Sequence, residues 1–111
     1  LNRDSSRTIS LKRVENLRML VESSVIDVLE KEFPGCTIVL FGSYSLGEDT
    51  VDSDIDIAVI GSKEKDIDLR KFEKALERKI IIQFYENFNK INKNLRNSIA
   101  NGIVLNGVIE I

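Results

Sequence analysis

The stretch IVLFGSYSLGEDTVDSDIDIAVI, residues 38–60, decides how the chain folds. Ile38, Val39, Leu40 and Phe41 read as a buried strand, and Gly42-Ser43 breaks the run where its apolar character stops. Asp54, Ile55, Asp56 and Ile57 then alternate acid with apolar before Ala58, Val59 and Ile60 complete a second strand. Strand side chains alternate with a period of two, so Asp54 and Asp56 share one face while Ile55 and Ile57 share the other. Two carboxylates on one face repel unless a proton or a cation lies between them, and oxygen ligands of this kind suit Mg²⁺ or Mn²⁺. The Gly42-Ser43 corner offers the complement: backbone N–H groups and a hydroxyl, with no side chain at Gly42 to keep a phosphate away. Taken singly, a Gly-Ser pair is usually a turn and an Asp-x-Asp a solvated strand start. Their order, with Gly47 and Ser53 between them, lets corner and carboxylates face one another across two strands.

Working outward, residues 1–9 are polar and read as a linker or frayed end, leaving residues 10–111 as one domain. Leu11, Val14, Leu17, Val21, Val25 and Val28 recur at helical spacing, widened by Leu20 and Leu29, and predict one helix from Ser10 that stops before Pro34-Gly35. Beyond the second strand, Asp66 or Asp68 can cap a helix that turns Leu69, Phe72 and Leu76 toward the sheet. Residues 79–85 are flatly apolar at their centre and predict a third strand in an interior position. Phe88, Ile91, Leu95 and Ile99 mark a further helix stopped by Asn101-Gly102, and Asn106-Gly107 suggests a short terminal hairpin or two extended pieces.

Composition narrows the classes of function. A chain of 111 residues with 42% apolar content supports one modest core. It has no histidine and a single cysteine, Cys36, which excludes a zinc site or a disulfide framework within one chain. There is no apolar run of membrane-spanning length and no signal-peptide pattern, so a cytoplasmic protein without membrane association is expected. The net charge of −2 argues against broad nucleic-acid binding by this domain. Glu48, Asp49, Asp52, Asp54 and Asp56 concentrate negative charge around the corner, whereas basic residues lie early and late.

An apolar strand, Gly42-Ser43, Gly47, then Ser53-Asp54-Ile55-Asp56 and a second apolar strand resemble the minimal nucleotidyltransferase domain of the DNA polymerase beta superfamily, over about residues 33–109. The resemblance implies an α/β fold, a nucleotidyltransferase-like mixed sheet with helices packed mainly on one face. It implies that Asp54 and Asp56 are the catalytic, metal-binding pair for Mg²⁺ or Mn²⁺. Gly42 and Ser43 would hold the phosphates of ATP or another nucleoside triphosphate, with Tyr44, Gly47 and Ser53 completing the nucleotide-binding set. The implied reaction is transfer of a nucleoside monophosphate, AMP first among them, to a hydroxyl of a protein or small molecule. Proteins of this kind are paired with small helical partners of the HEPN type, some acting as antitoxins, or follow a DNA-binding domain as a regulator's sensor. Leu1 in place of Met fits a C-terminal fragment of such a regulator, reaching DNA only through an upstream domain and self-associating. Two departures stand out. Leu46 occupies a position where the family often has arginine, and residues 79–84 lack the third carboxylate that the family usually takes from this strand, with Ile81 or Gln83 in its place. These departures favour the alternative of a non-catalytic nucleotide sensor or protein-interaction domain.

Overall fold

The computed structural model describes residues 2–109, with side chains from Arg7 onward. Among these residues, β1 (Thr37–Phe41), β2 (Ile55–Ile60), β3 (Ile80–Tyr85) and β4 (Ile103–Asn106) form one sheet in the order β3-β2-β1-β4. Strand β1 runs antiparallel to β2 and β4, and β2 runs parallel to β3, so the sheet is mixed. Pairing of Phe41 with Asp56 brings the end of β1 and the start of β2 to the same margin of the sheet.

The two faces follow from the period of two. Ile38 and Leu40 of β1 and Ile55, Ile57 and Val59 of β2 join one core with Leu20 of α1 (Asn2–Glu22), Val25 and Leu29 of α2 (Val25–Glu32), and Phe72 and Leu76 of α4 (Arg70–Leu76); the short α3 (Ser43–Leu46) adds Tyr44. Val39, Phe41 and Ala58 face the other way, against Phe88 in a 3₁₀ turn (Phe88–Lys90), Ile91, and Ile99 of α5 (Lys93–Ala100). Most helices therefore cover one face. Each large aliphatic or aromatic side chain fully buried in these layers contributes about 1.5–3 kcal/mol of transfer free energy.

Four expectations are corrected. The single N-terminal helix is two helices, broken where Ser24 adopts φ 70°. The Ser23 hydroxyl donates to the Leu20 carbonyl and accepts the Val25 N–H, giving the backbone a local alternative to helix continuation. The break changes the phase of the stripe: Leu11, Val14 and Val21 are 65%, 67% and 56% exposed, and α1 packs through Asn16 and Leu20 instead. Second, α1 begins at Asn2, so residues 2–9 are helical rather than a linker, and Leu1 lies outside the described residues. Third, β3 is an edge strand, not an interior one. Its apolar run reports packing on the sheet faces, where Phe84 meets Phe33 edge-on at 5.5 Å, not a neighbour on each side. Fourth, the helix expected to carry Phe88, Ile91, Leu95 and Ile99 is a 3₁₀ turn (Phe88–Lys90) followed by α5 (Lys93–Ala100), because Ile91 and Asn92 are extended and the Asn92 side chain caps α5 by accepting the Leu95 N–H. Of the terminal stretch, β4 pairs with β1, and residues 110–111 lie outside the described residues.

A buried carboxylate ties these layers together. Asp49 is 4% exposed. It accepts from Asn16 Nδ2 at 2.8 Å and Arg78 Nη2 at 3.0 Å, and Lys12 Nζ lies 3.4 Å away while donating to the Asp49 carbonyl at 2.5 Å. Asn16 Nδ2 also reaches the Tyr44 carbonyl, and the Tyr44 hydroxyl donates back to the Asn16 carbonyl. Thus α1, α3 and the turn before β3 meet at one acid. Burial acts to raise the Asp49 pKa, but the bonds from Asn16 and Arg78 and the charge of Lys12 outweigh it and hold the carboxyl below its ordinary 3.8. A depressed folded value means that this stability is fully present above pH 3.8 and is lost as the pH falls through the folded value. Asp49→Asn would leave the Arg78 guanidinium buried without its counter-charge, and should lower unfolding free energy by about 3–5 kcal/mol in urea titrations at pH 7. The deficit should shrink as the pH drops below the carboxylate range.

Candidate active site

Gly42 ends β1 with φ 79° and ψ −167°, a conformation that glycine alone adopts without strain. A Cβ built there would stand 2.5 Å from Asp56 Oδ2. Corner and carboxylate are therefore in direct contact, and no residue larger than glycine fits between them. The chain then enters α3, braced by a bond of 2.7 Å from the Ser45 hydroxyl to the Gly42 carbonyl.

Across from the corner, β2 presents Asp56 on the same face as Phe41, and Asp54 two residues earlier shares that orientation. Asp54 is exposed and Asp56 partly buried. Burial raises the Asp56 pKa, and the neighbouring charge of Asp54 raises it further. A cation between the two would remove that repulsion, so the donor set fits a divalent ion with oxygen preference. Beyond the pair the set is short. Among the described residues no group of three or more His, Cys, Asp or Glu side chains is disposed to hold a metal. In the parallel register Asp56 is paired with Ile81 and Ala58 with Gln83, so Ile81 stands beside the carboxylate pair where a third acid would be useful. Glu77 lines an open depression with Asp52, Ser53 and Asp54. Glu86, at the opposite end of β3, is bound to Lys90 at 2.6 Å.

The remaining predicted residues divide. Gly42, Asp54 and Asp56 gather at the sheet margin, with Ser43 next to Gly42. Tyr44, by contrast, is 2% exposed and points into the core beneath α1. Gly47, at φ 73°, lies against α1, where a Cβ would come within 2.5 Å of the Ile9 carbonyl and 2.9 Å of the Arg13 nitrogen. Ser53 closes the acidic loop by accepting the Thr50 N–H at 2.9 Å. Asp49, grouped in the sequence with the acids of the site, is turned away into its own ion-pair network. Lys12, Asn16 and Arg78, which fix that loop, carry no local sequence signal, because their partner is distant in the chain.

This margin, with an Asp pair abutting a Gly-Ser corner on a mixed sheet, defines an α/β domain of the nucleotidyltransferase type. Residues 22–106 match the nucleotidyltransferase domain family, and the chain belongs to that family. No curated protein matches the chain. Among the described residues no helix is long and apolar enough to cross a membrane.

The raised Asp56 pKa fixes the sign of a stability effect. Stability from this group is present below 3.8 and lost as the pH rises through the elevated value, so the ionised form strains the metal-free protein at neutral pH. Asp56→Asn should therefore be more stable than the parent chain at pH 7 in chelator, as read by thermal melting. The difference should vanish in acid, where both side chains are neutral.

Proposed function

We propose that the domain is a metal-dependent nucleotidyltransferase that moves AMP, or another nucleoside monophosphate, from a nucleoside triphosphate to a hydroxyl of a protein or small molecule. The contact of Gly42 with the Asp56 carboxylate carries this reading, because it sets a phosphate-accepting corner directly against an oxygen-ligand pair. Asp54 and Asp56 would hold Mg²⁺ or Mn²⁺, which when bound neutralises the charge developing on the phosphate and leaving oxygens. The protein's own part is positional. Gly42 and Ser43 keep the triphosphate at the sheet margin, and the half-buried Asp56 holds the reacting end at a fixed depth. The acceptor oxygen forms a bond to the α-phosphorus, the bond from that phosphorus to the bridging oxygen breaks, and pyrophosphate leaves with the electron pair. The acceptor's proton passes to water.

The register of Ile81 beside Asp56 favours a second reading. An aliphatic side chain there supplies no charge to an acceptor hydroxyl, which suits a domain that binds nucleotide as a sensor and transfers slowly. One set of measurements separates the readings. ATP with Mg²⁺ should raise the melting temperature of the parent chain, and Asp54→Asn with Asp56→Asn should erase that increment while leaving the far-ultraviolet circular dichroism unchanged. An equal shift in the double variant would sink the proposed site. With ATP labelled at the α-phosphate, label transfer by the parent marks an enzyme; binding without transfer, raised by Ile81→Asp but not by Gln83→Asp, marks a sensor derived from one.

A further inference from the structure

A cavity of about 460 Å³ opens between α1, α3 and the end of α5, lined by Arg13, Gly42, Ser45, Leu46, Ser98 and Asn101. The lining contains two serine hydroxyls, one amide and one guanidinium, and no carboxylate. Among the described residues the Arg13 side chain has no hydrogen-bond or ion-pair partner. Its neighbours on α1 differ. Arg18 is clasped by Glu15 and Glu22, and Lys12 is held by Asp49. Arg13 therefore retains an uncompensated charge where α1 and the Gly42 corner line one cavity.

Its position is built rather than incidental. The backbone of α1 at Ile9 and Arg13 rests on Gly47, where any Cβ would collide with it. The Asn16 and Lys12 bonds to Asp49 fix the next turn of the helix. On the far side of the cavity Gly42 abuts Asp56. Leu46 lines the same cavity and brings no charge to it. A guanidinium thus stands near the corner although position 46 supplies none, and it comes from a helix segment that precedes the family match at residues 22–106.

We infer that Arg13 is a polyphosphate-binding residue, taking the β- and γ-phosphates of a nucleoside triphosphate in this cavity with neutral hydrogen bonds from Ser98 and Asn101. The inference rests on the nucleotidyl-transfer reading above and adds to it a positive charge for the phosphates, since Arg13 alone is charged in this lining. A planar guanidinium can meet two phosphate oxygens at once, which an ammonium cannot.

The test is calorimetric titration of the intact chain with ATP and with inorganic tripolyphosphate, each with and without Mg²⁺. Arg13→Gln should weaken binding of both ligands about tenfold or more. Arg13→Lys should recover part of the loss. Arg18→Gln removes the same charge from the same helix and should leave both affinities unchanged. Since Arg13 is exposed, the melting temperatures of its variants should match the parent's. Binding of ATP that is as tight in Arg13→Gln as in the parent would overturn the inference and leave the functional reading intact. An equal loss in Arg18→Gln would reduce the effect to general charge, and would also overturn it. Arg13-dependent binding of tripolyphosphate without binding of ATP would overturn both the inference and the nucleotide reading, showing an anion site only. A parent chain that binds neither ligand would overturn both.

Discussion

The architecture depends on a carboxylate that has been taken out of water. Ionised Asp49 is tolerable in its buried position only because Asn16, Lys12 and Arg78 reach it from two different parts of the chain. Those partners lie 33, 37 and 29 residues away. Between them the acidic loop has little freedom. Because this loop carries the chain from the Gly-Ser corner to Asp54, fixing Asp49 also fixes how far apart the two halves of the site can be. Arg78 Nε is buried without a hydrogen-bond partner among the described residues, so the guanidinium is held by its other nitrogens and by Asp49.

Close backbone approach supplies the second constraint. Gly42 admits the Asp56 carboxylate and Gly47 admits α1, each at a left-handed φ where a side chain would be strained even with room to spare. The two glycines act in opposite directions from α3, one toward the sheet margin and the other toward the N-terminal helix. A four-residue helix cannot hold its own geometry by internal hydrogen bonds. Here it is held by what presses on both of its ends, and by Tyr44 rooted in the core between them.

Much of this was legible in the sequence where burial and periodicity coincide. Strands β1 and β2 announce themselves because Ile38 to Phe41 and Ile55 to Ile60 bury complete faces, and the parity of Asp54 and Asp56 follows from strand geometry alone. Phe88, Ile91, Leu95 and Ile99 do enter one core layer, but from a 3₁₀ turn and a separate α5 rather than from the single helix their spacing predicts. What escaped was what depends on distant partners. Asp49 looked like one more acid of the site, because nothing near it in sequence shows that Arg78 will meet it. Ser23-Ser24 sits unmarked within a helical stripe because one αL residue leaves the hydrophobic spacing almost intact while rotating everything before it. The apolar β3 suggested an interior strand, since a run of isoleucines registers contact with helices above the sheet as readily as strands beside it. The contact of Gly47 with the α1 backbone is likewise invisible in the sequence, since Ile9 and Arg13 are distant in the chain.

The N-terminal helix separates two notions of where a domain begins. Similarity to the family starts at residue 22. Cooperativity starts earlier, since Lys12 and Asn16 hold the loop acid and Leu20 is fully buried in the core. A border drawn from shared ancestry would strip the loop acid of two of its partners and uncover the carbonyl side of Tyr44. The recurrent module and the folding unit are therefore different objects in this chain. The segment ahead of the family match is joined to the matched region at the level of single hydrogen bonds, so a change on one side of those bonds must be met by a change on the other.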